Sequence, residues 1–96
     1  MRSKKKITLI DNKKIDLTGK EVVLVQGMGF VGSVMALVCA NSKKRFVFGV
    51  DLPKKNIKKK LVRLNNGKFP FLAEDKKINS YLKNSIKKKT FTALLL

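Results

Sequence analysis

Three mainly apolar runs, separated by segments with a different pattern, predict three strands in this chain. Two apolar runs, EVVLVQ at 21–26 and RFVFGVD at 45–51, lack the polar alternation of a half-exposed strand. Such runs are typical of parallel strands that are covered on both faces. A third run, TFTALLL at 90–96, predicts a third strand, and Pro53 closes the second because proline cannot donate to a strand ladder.

The segments between these runs have helical patterns. Residues 30–42 are apolar nearly all round until Asn41 and Ser42, which predicts a helix packed against a sheet. Two amphipathic helices follow, one over 55–65 and one behind the acidic start of EDKK, and their apolar positions are Ile57, Leu61, Leu64, Ile78, Leu82 and Ile86. The order β-α-β-α-α-β predicts an α/β fold, a Rossmann-type parallel sheet with right-handed crossovers, which we interpret as an incomplete half of a dinucleotide-binding domain.

Residues 1–20 form an N-terminal extension in this interpretation. The short runs ITLI and IDL flank DNKK, whose Asp and Asn suit a turn. A marginal hairpin and a disordered arm both fit this pattern.

The stretch VVLVQGMGFVGSVMA joins the first strand to the first helix through Gly-x-Gly-x-x-Gly. Gly27 permits the tight turn, Gly29 lets the backbone approach a pyrophosphate, and Gly32 lets the helix lie close to the strand. Free N–H groups at the helix start point at the phosphates from the positive end of the helix dipole. The candidate cofactor-binding residues of this loop are Gly27, Met28, Gly29, Phe30, Val31 and Gly32.

Asp51 ends the second strand 19 residues beyond Gly32. A carboxylate there accepts hydrogen bonds from the adenosine ribose hydroxyls and repels a 2′-phosphate, so we expect NAD to be preferred over NADP. Residues 21–96 are therefore interpreted as a partial NAD-binding Rossmann domain. The alternative is that the glycines only pack a strand-to-helix turn and that Asp51 only faces water.

The net charge of +17 raises the possibility of a nucleic-acid partner. Only three of the 23 basic residues are Arg, however, and Arg is favoured for base reading and bidentate phosphate binding. The lysines are scattered, and the aromatics lie in apolar runs instead of alternating with charges. We expect a solvated basic surface and no specific nucleic acid, with a small basic nucleic-acid-binding module as an alternative.

The sequence contains no histidine and one cysteine, which excludes a zinc site and a His-based catalytic group. Cys39 lies in the middle of the first helix, where we expect a buried packing residue, and no catalytic or metal-binding residue is assigned. No stretch has the roughly 18 apolar residues that a membrane helix needs, and the N-terminus lacks a signal-peptide core. The expectation is a soluble, cytoplasmic protein without a membrane partner.

Three stretches, VVLVQGMGFVGSVMA, FGVDLP and LNNGKFPFLAED, resemble the start of the UDP-glucose/GDP-mannose dehydrogenase family. The resemblance covers residues 21 to about 93 and is strongest for branches that act on UDP-N-acetylmannosamine or related sugars. It implies NAD-dependent oxidation of the C6 alcohol of a UDP-hexose to the carboxylate. It also implies that Lys60 lies near the adenosine phosphate, although its spacing from Asp51 is longer than usual and Pro53 replaces a second acid.

The same resemblance implies a catalytic cysteine in a downstream Gly-Gly-x-Cys motif, which these 96 residues do not contain and which Cys39 does not match. We therefore expect an inactive fragment, from a truncated or frame-shifted gene or from a longer one, that binds at most the adenosine and pyrophosphate part of NAD. A fragment of another NAD-dependent hydroxyacid-type dehydrogenase is the alternative, although NNGKFPF argues against it. Self-association is expected through the exposed sheet edge near residues 90–96.

Overall fold

The structure, a computed structural model, describes residues 7–10, 13–72 and 75–95. In chain order its elements are β1 (Ile7–Ile10), β2 (Lys13–Asp16), β3 (Glu21–Gln26), α1 (Phe30–Ala40), β4 (Arg45–Asp51), α2 (Ile57–Asn65), α3 (Lys76–Lys87) and β5 (Phe91–Leu95). The predicted order of strands and helices from β3 to β5 is confirmed, and with it the small α/β fold.

The main sheet has three parallel strands in the order β3-β4-β5. Glu21 lies opposite Arg45 in the first pair, and Val47 lies opposite Phe91 in the second. Parallel neighbours need a crossover connection. Here α1 makes the first crossover, and α2 with α3 makes the second. The carboxyl ends of β3 and β4 therefore meet at one edge of the sheet.

The main core lies on one face of the sheet, under the apolar sides of all three helices. Val23 and Val25 of β3 pack against this core from the sheet side. Its buried members are Met28, Ala36, Leu37, Ala40, Val47, Ile57, Leu61, Leu64, Phe69, Leu82, Phe91 and Ala93. Met28, in the loop that follows β3, belongs to this cluster, so the core anchors that loop.

An antiparallel hairpin of β1 and β2 covers part of the opposite face. Ile15 is buried there with Phe46, Phe48 and Val50 of β4, so β4 is covered on both faces as its unbroken apolar run predicts. Of the two alternatives for the N-terminal residues, the structure shows the hairpin. Asp11 and Asn12, assigned to its turn, lie outside the described residues.

The prediction that β3 is also covered on both faces is wrong. Val22 and Leu24 lie opposite Phe46 and Phe48 in the register, on the hairpin's side of the sheet, yet the two residues are 50% and 61% exposed. Ile15 of the hairpin packs against β4. An unbroken apolar run indicates strand structure but does not show whether a partner covers each face.

The helix boundaries follow local chemistry. Helix α1 ends at Ala40, and Asn41 is its C-cap, within the predicted segment. Helix α2 begins at Ile57, two residues later than predicted, because Asn56 has a φ of 68°, in the left-handed region. At α3, the side chain of Asp75 accepts a hydrogen bond from the Lys77 N–H at 2.9 Å. An acidic helix start was predicted there, and Asp75 supplies it.

One face of α1 departs from the sequence expectation. The helix packs against the sheet as predicted, but Val31, Met35 and Val38 are exposed although every residue around them is apolar or small.

No helix in the part of the chain that the structure describes is long and apolar enough to cross a membrane.

Candidate functional site

The glycine loop lies where β3 ends and α1 begins, at the carboxyl edge of the sheet. Gly27 has a φ of 93°, a conformation that side chains beyond glycine rarely adopt. Its N–H donates to the Val50 carbonyl oxygen at 2.8 Å. The first glycine therefore makes the turn and attaches the loop to β4.

The third glycine allows close packing between α1 and this turn. A Cβ at Gly32 would collide with the Gly27 carbonyl group. Gly29 is different, because its φ of −70° is open to any residue and an added Cβ would meet nothing within 4 Å. The fold itself therefore requires glycine at 27 and 32 but not at 29.

The N-terminus of α1 is open. Gly29 is the N-cap, and its carbonyl oxygen accepts the first helical hydrogen bond from the Ser33 N–H at 2.9 Å. In the part of the chain that the structure describes, no side chain caps this end, and the first turn of the helix itself carries no acid. The first N–H groups of a helix have no partner within the helix and carry the positive end of its dipole. The N–H groups of residues 30–32 thus form a site suited to an anion.

Asp51 lies against this loop with only 6% of its surface exposed. Its Oδ2 accepts from the Met28 N–H at 2.8 Å and its Oδ1 accepts from the Leu52 N–H at 2.7 Å, while Lys54 Nζ lies 3.6 Å from Oδ1. The hydrogen bond from Met28 is the main cause that holds the pKa of Asp51 below its ordinary value, and burial opposes it. Asp51 does not simply face water, and its carboxylate is ionised and fixed in orientation.

The Asp51 carboxylate keeps acceptor capacity despite these contacts. Each carboxylate oxygen has about two lone-pair sites, so one backbone donor on each leaves a second position. A ligand hydroxyl that reaches this end of β4 would find a charged acceptor held by the glycine loop itself. The structure therefore brings together Asp51 and the loop, as the sequence predicts.

Met28 has a structural role that the sequence did not reveal. Its side chain is fully buried in the space left by Gly49 of β4, where a Cβ would meet its sulfur and terminal methyl group. The Ser33 hydroxyl donates to the Met28 carbonyl oxygen at 3.1 Å. Met28 thus anchors the loop, and its N–H already serves Asp51. Glycine in a strand signals a close approach, but the sequence does not identify what approaches it.

Lys60 lies on α2, on the side that faces the loop between α2 and α3. Its Nζ is 5.0 Å from the centroid of the Phe71 ring. The Phe71 ring also meets that of Phe30, the first residue of α1, with centroids 6.1 Å apart. The structure thereby connects Lys60 with the start of α1 through one aromatic ring.

Cys39 is half-buried on α1 and packs against the main core, so the expectation of full burial is met only in part. It lies more than one helical turn beyond Gly32, the last residue of the glycine loop, along α1. Among the described residues, no group of three or more His, Cys, Asp and Glu side chains could hold a metal ion.

A separate cleft of about 630 Å³ lies between β2, the start of β4 and the end of α3. Four lysines line it, namely Lys14, Lys20, Lys88 and Lys89. Lys20 Nζ lies 5.8 Å from the Phe46 ring centroid and 3.4 Å from the Lys89 carbonyl oxygen, to which it donates. No residue of the glycine loop lines this cleft, so the two sites are distinct.

Comparisons with known proteins give structural matches only, since no protein-family profile and no curated sequence matches the chain. The NDP-N-acetyl-D-galactosaminuronic acid dehydrogenase of Methanosarcina mazei Go1 matches 77% of this chain with 25% identity and a TM-score of 0.69. GDP-mannose dehydrogenase from Pseudomonas aeruginosa matches 76% with 22% identity and a TM-score of 0.57. UDP-glucose dehydrogenase from Pyrobaculum islandicum matches 78% with 20% identity and a TM-score of 0.62.

The matched region spans 16%, 15% and 16% of those three chains, respectively. The predicted resemblance to nucleotide-sugar dehydrogenases is confirmed for the part of the fold that this chain shares with them.

Proposed function

We propose that residues 21–96 bind the adenosine and pyrophosphate part of NAD as a partial Rossmann domain, with residues 1–20 as an N-terminal extension. The observation that carries this proposal is the open space at Gly29. Neither backbone conformation nor packing requires glycine there, while the other two glycines of the loop are explained by the fold. Close approach of a ligand phosphate to the backbone at Gly29 explains why this position has no side chain.

The pyrophosphate would lie on the N–H groups of Phe30, Val31 and Gly32. Among the described residues these donors have no capping side chain to compete with a ligand, and the first turn of α1 has no acid to repel one. A doubly charged pyrophosphate would also be attracted by the net charge of +17. Lys60, near Phe71, would add a local cation on the same side of the molecule.

The adenosine ribose would lie at Asp51, whose carboxylate accepts hydroxyl hydrogen bonds. Because that carboxylate is ionised and fixed by two backbone N–H groups, it would repel a 2′-phosphate, and we propose NAD over NADP. Lys54 reduces this repulsion but is well exposed, where ion pairs contribute little. Leu52, exposed beside Asp51, offers an apolar surface for the adenine.

NAD, when bound, would supply the hydride acceptor for the oxidation of an alcohol, and the structural neighbours favour a nucleotide-sugar dehydrogenase as the setting. The substrate we propose is the C6 alcohol of a UDP-hexose, and its oxidation to the carboxylate would take two NAD-dependent steps, each removing one hydride, with water supplying the second carboxylate oxygen. Within these 96 residues the role is cofactor binding and orientation. Cys39, half-buried in α1 away from the loop, has no part in it.

Isothermal titration calorimetry of the chain with NAD and with NADP tests the proposal. Gly29→Ala should weaken NAD binding at least tenfold because its Cβ fills the ligand's space, and it should leave the melting temperature nearly unchanged because that space is empty in the fold. Met35→Ala, an exposed change on the same helix, is the matched control and should bind NAD normally. Equal affinity of the unmodified chain for NAD and NADP would contradict the proposal, and so would an unchanged NAD affinity in the Gly29→Ala variant.

The lysine-lined cleft supports a second candidate function, binding of a polyanion such as nucleic acid. Binding through lysine-phosphate contacts weakens steeply with salt, in proportion to the number of phosphates contacted. NAD held by backbone N–H groups should depend far less on salt. A salt titration of both ligands, repeated with Lys88→Gln and Lys89→Gln together, separates the two functions because those lysines line only the cleft.

A further inference from the structure

Three phenylalanine rings join the start of α1 to the loop that follows α2. Phe30, Phe69 and Phe71 meet edge to face, with centroid distances of 5.9 Å between Phe30 and Phe69, 6.1 Å between Phe30 and Phe71, and 5.5 Å between Phe69 and Phe71. This aromatic cluster is closed, since each ring contacts both others. Edge-to-face geometry is the favourable arrangement for aromatic side chains.

The cluster joins a loop that is anchored in the main core to a helix start that is partly exposed. Phe69 is buried in the main core and Phe71 packs against it, so the loop at 69–71 is anchored. Phe30 is 43% exposed and is the first residue of α1. Its ring contacts with Phe69 and Phe71 therefore attach the first turn of α1 to an anchored part of the molecule.

That attachment matters because the first turn of α1 lacks the usual means of fixing its geometry. The N-cap is Gly29, which has no side chain, and among residues 7–10, 13–72 and 75–95 no side chain caps the helix in its place. An uncapped helix end frays more readily than one closed by a side-chain acceptor. Ring contacts of Phe30 can hold the turn without occupying any N–H group.

We propose that the aromatic cluster positions the N–H groups of residues 30–32 for the pyrophosphate, so that Phe71, in a loop remote in sequence, controls dinucleotide affinity. This inference rests on the proposed NAD binding. Phe30 and Phe71 are positioning residues and act through the backbone of the first turn. Lys60 adds to the arrangement, because its Nζ lies 5.0 Å from the Phe71 ring centroid.

The first test measures NAD affinity by calorimetry. Phe71→Ala should weaken binding by about two- to tenfold, the range that edge-to-face ring pairs contribute. Phe71→Leu, which keeps apolar volume and guards against a folding defect, should weaken it similarly, and Phe71→Tyr should restore it. Leu72→Ala is the matched control, since Leu72 is the next residue and 99% exposed.

A double-mutant cycle adds a readout that a merely structural role would not give. If Phe30 and Phe71 act as one unit, the variant with both changed to Ala should bind NAD about as well as the weaker single variant, instead of showing the product of the two losses. Independent, multiplying losses would overturn the proposal.

The second test needs no ligand. The Ser33 N–H, bonded to the Gly29 carbonyl oxygen at 2.9 Å, reports whether the first turn is formed. Its hydrogen exchange should accelerate in Phe71→Ala and Phe71→Leu and stay unchanged in Leu72→Ala. If the unmodified chain fails to bind NAD, the proposed function is overturned, while accelerated exchange would still support attachment of the first turn by the cluster. Unchanged exchange and unchanged NAD affinity in the Phe71 variants would overturn the positioning role.

Discussion

At the residue scale, the three glycines of the loop differ in what requires them. The spacing alone predicts the roles of Gly27 and Gly32, because a tight turn and a close helix approach are local consequences of joining a strand to a helix. The structure supports both roles through the φ of 93° and the collision that a Cβ at 32 would cause. Gly29 has neither constraint, so its role as a ligand approach stays a prediction.

The burial of Met28 could not be predicted from the sequence. The space for its side chain comes from Gly49, which lies in the next strand along the chain, and the pairing of those two residues depends on the register between β3 and β4. The sequence shows that Met28 and Gly49 are present, but it does not show that they are in contact. Asp51 is similar, since its position at the strand end was predictable but its bond from the Met28 N–H was not.

The prediction at the residue scale is that Asp51 makes the stability of the fold depend on pH. The folded-state pKa of Asp51 is held below its unfolded value, chiefly by the Met28 N–H, so its charged form stabilises the fold above the unfolded pKa. That stability is lost as the pH falls through the folded-state pKa. At neutral pH, Asp51→Asn should lower the free energy of unfolding by about 1–3 kcal/mol, the range for hydrogen bonds to a charged group.

The test is urea denaturation of both proteins between about pH 7 and pH 2, a range that brackets an aspartate pKa. The difference between unmodified chain and Asp51→Asn should be full near neutrality and should shrink below about pH 4. Asp75→Asn, at an exposed helix N-cap, controls for the general loss of a carboxylate. A difference that stays constant down to pH 2 would contradict the assigned role.

At the element scale, Asn65 fixes how α2 meets the sheet. Its Nδ2 donates to the Ala93 carbonyl oxygen at 2.8 Å, and its Oδ1 accepts from the Ala93 N–H at 2.7 Å. Both backbone groups of Ala93 point away from β4, so the amide side chain occupies the outer edge of β5 as a neighbouring strand would. The Leu-Asn-Asn-Gly stretch, noted in the sequence as a family resemblance, thus has a structural use.

We expect Asn65→Ala to destabilise the chain by about 1–3 kcal/mol, because it leaves the two backbone groups of Ala93 without these partners. Asn66→Ala is the control, since Asn66 is exposed and adjacent to it in sequence. Chemical denaturation of the three proteins measures the effect. Equal loss of stability in both variants would show that the contact with β5 contributes nothing specific.

The order of strands and helices was the most predictable part of this fold. The least predictable part was which segment covers each face of a strand or helix. Unbroken apolar runs and helical spacing are properties of consecutive residues, so the order from β3 to β5 follows from the sequence. Coverage of a face depends on distant segments. For this reason the exposure of Val22 and Leu24 on β3, and of Met35 on α1, contradicted the pattern.

At the scale of the whole molecule, charge and apolar surface oppose each other. The net charge of +17 favours separate chains, because like charges repel. The outer edge and the exposed apolar face of β3 favour association. An unpaired strand edge offers backbone N–H and C=O groups to another chain, and apolar side chains beside it strengthen such pairing. Salt screens the first effect and leaves the second, so ionic strength should decide which one prevails.

The last prediction is that this chain self-associates through β3 as salt increases. The sequence indicated the edge near residues 90–96, but Asn65 already occupies the outer edge of β5 at Ala93. In contrast, no described strand pairs with the outer edge of β3, and Leu24 of β3 is 61% exposed. Sedimentation velocity should show a larger species at about 1 M salt than at about 0.1 M, as the screening length falls from roughly 10 Å to 3 Å. Leu24→Lys should abolish that increase, and Leu95→Lys, at the end of β5, should leave most of it. The opposite ranking of the two variants would return the association site to β5, and a chain that remains monomeric at every salt concentration would exclude both edges.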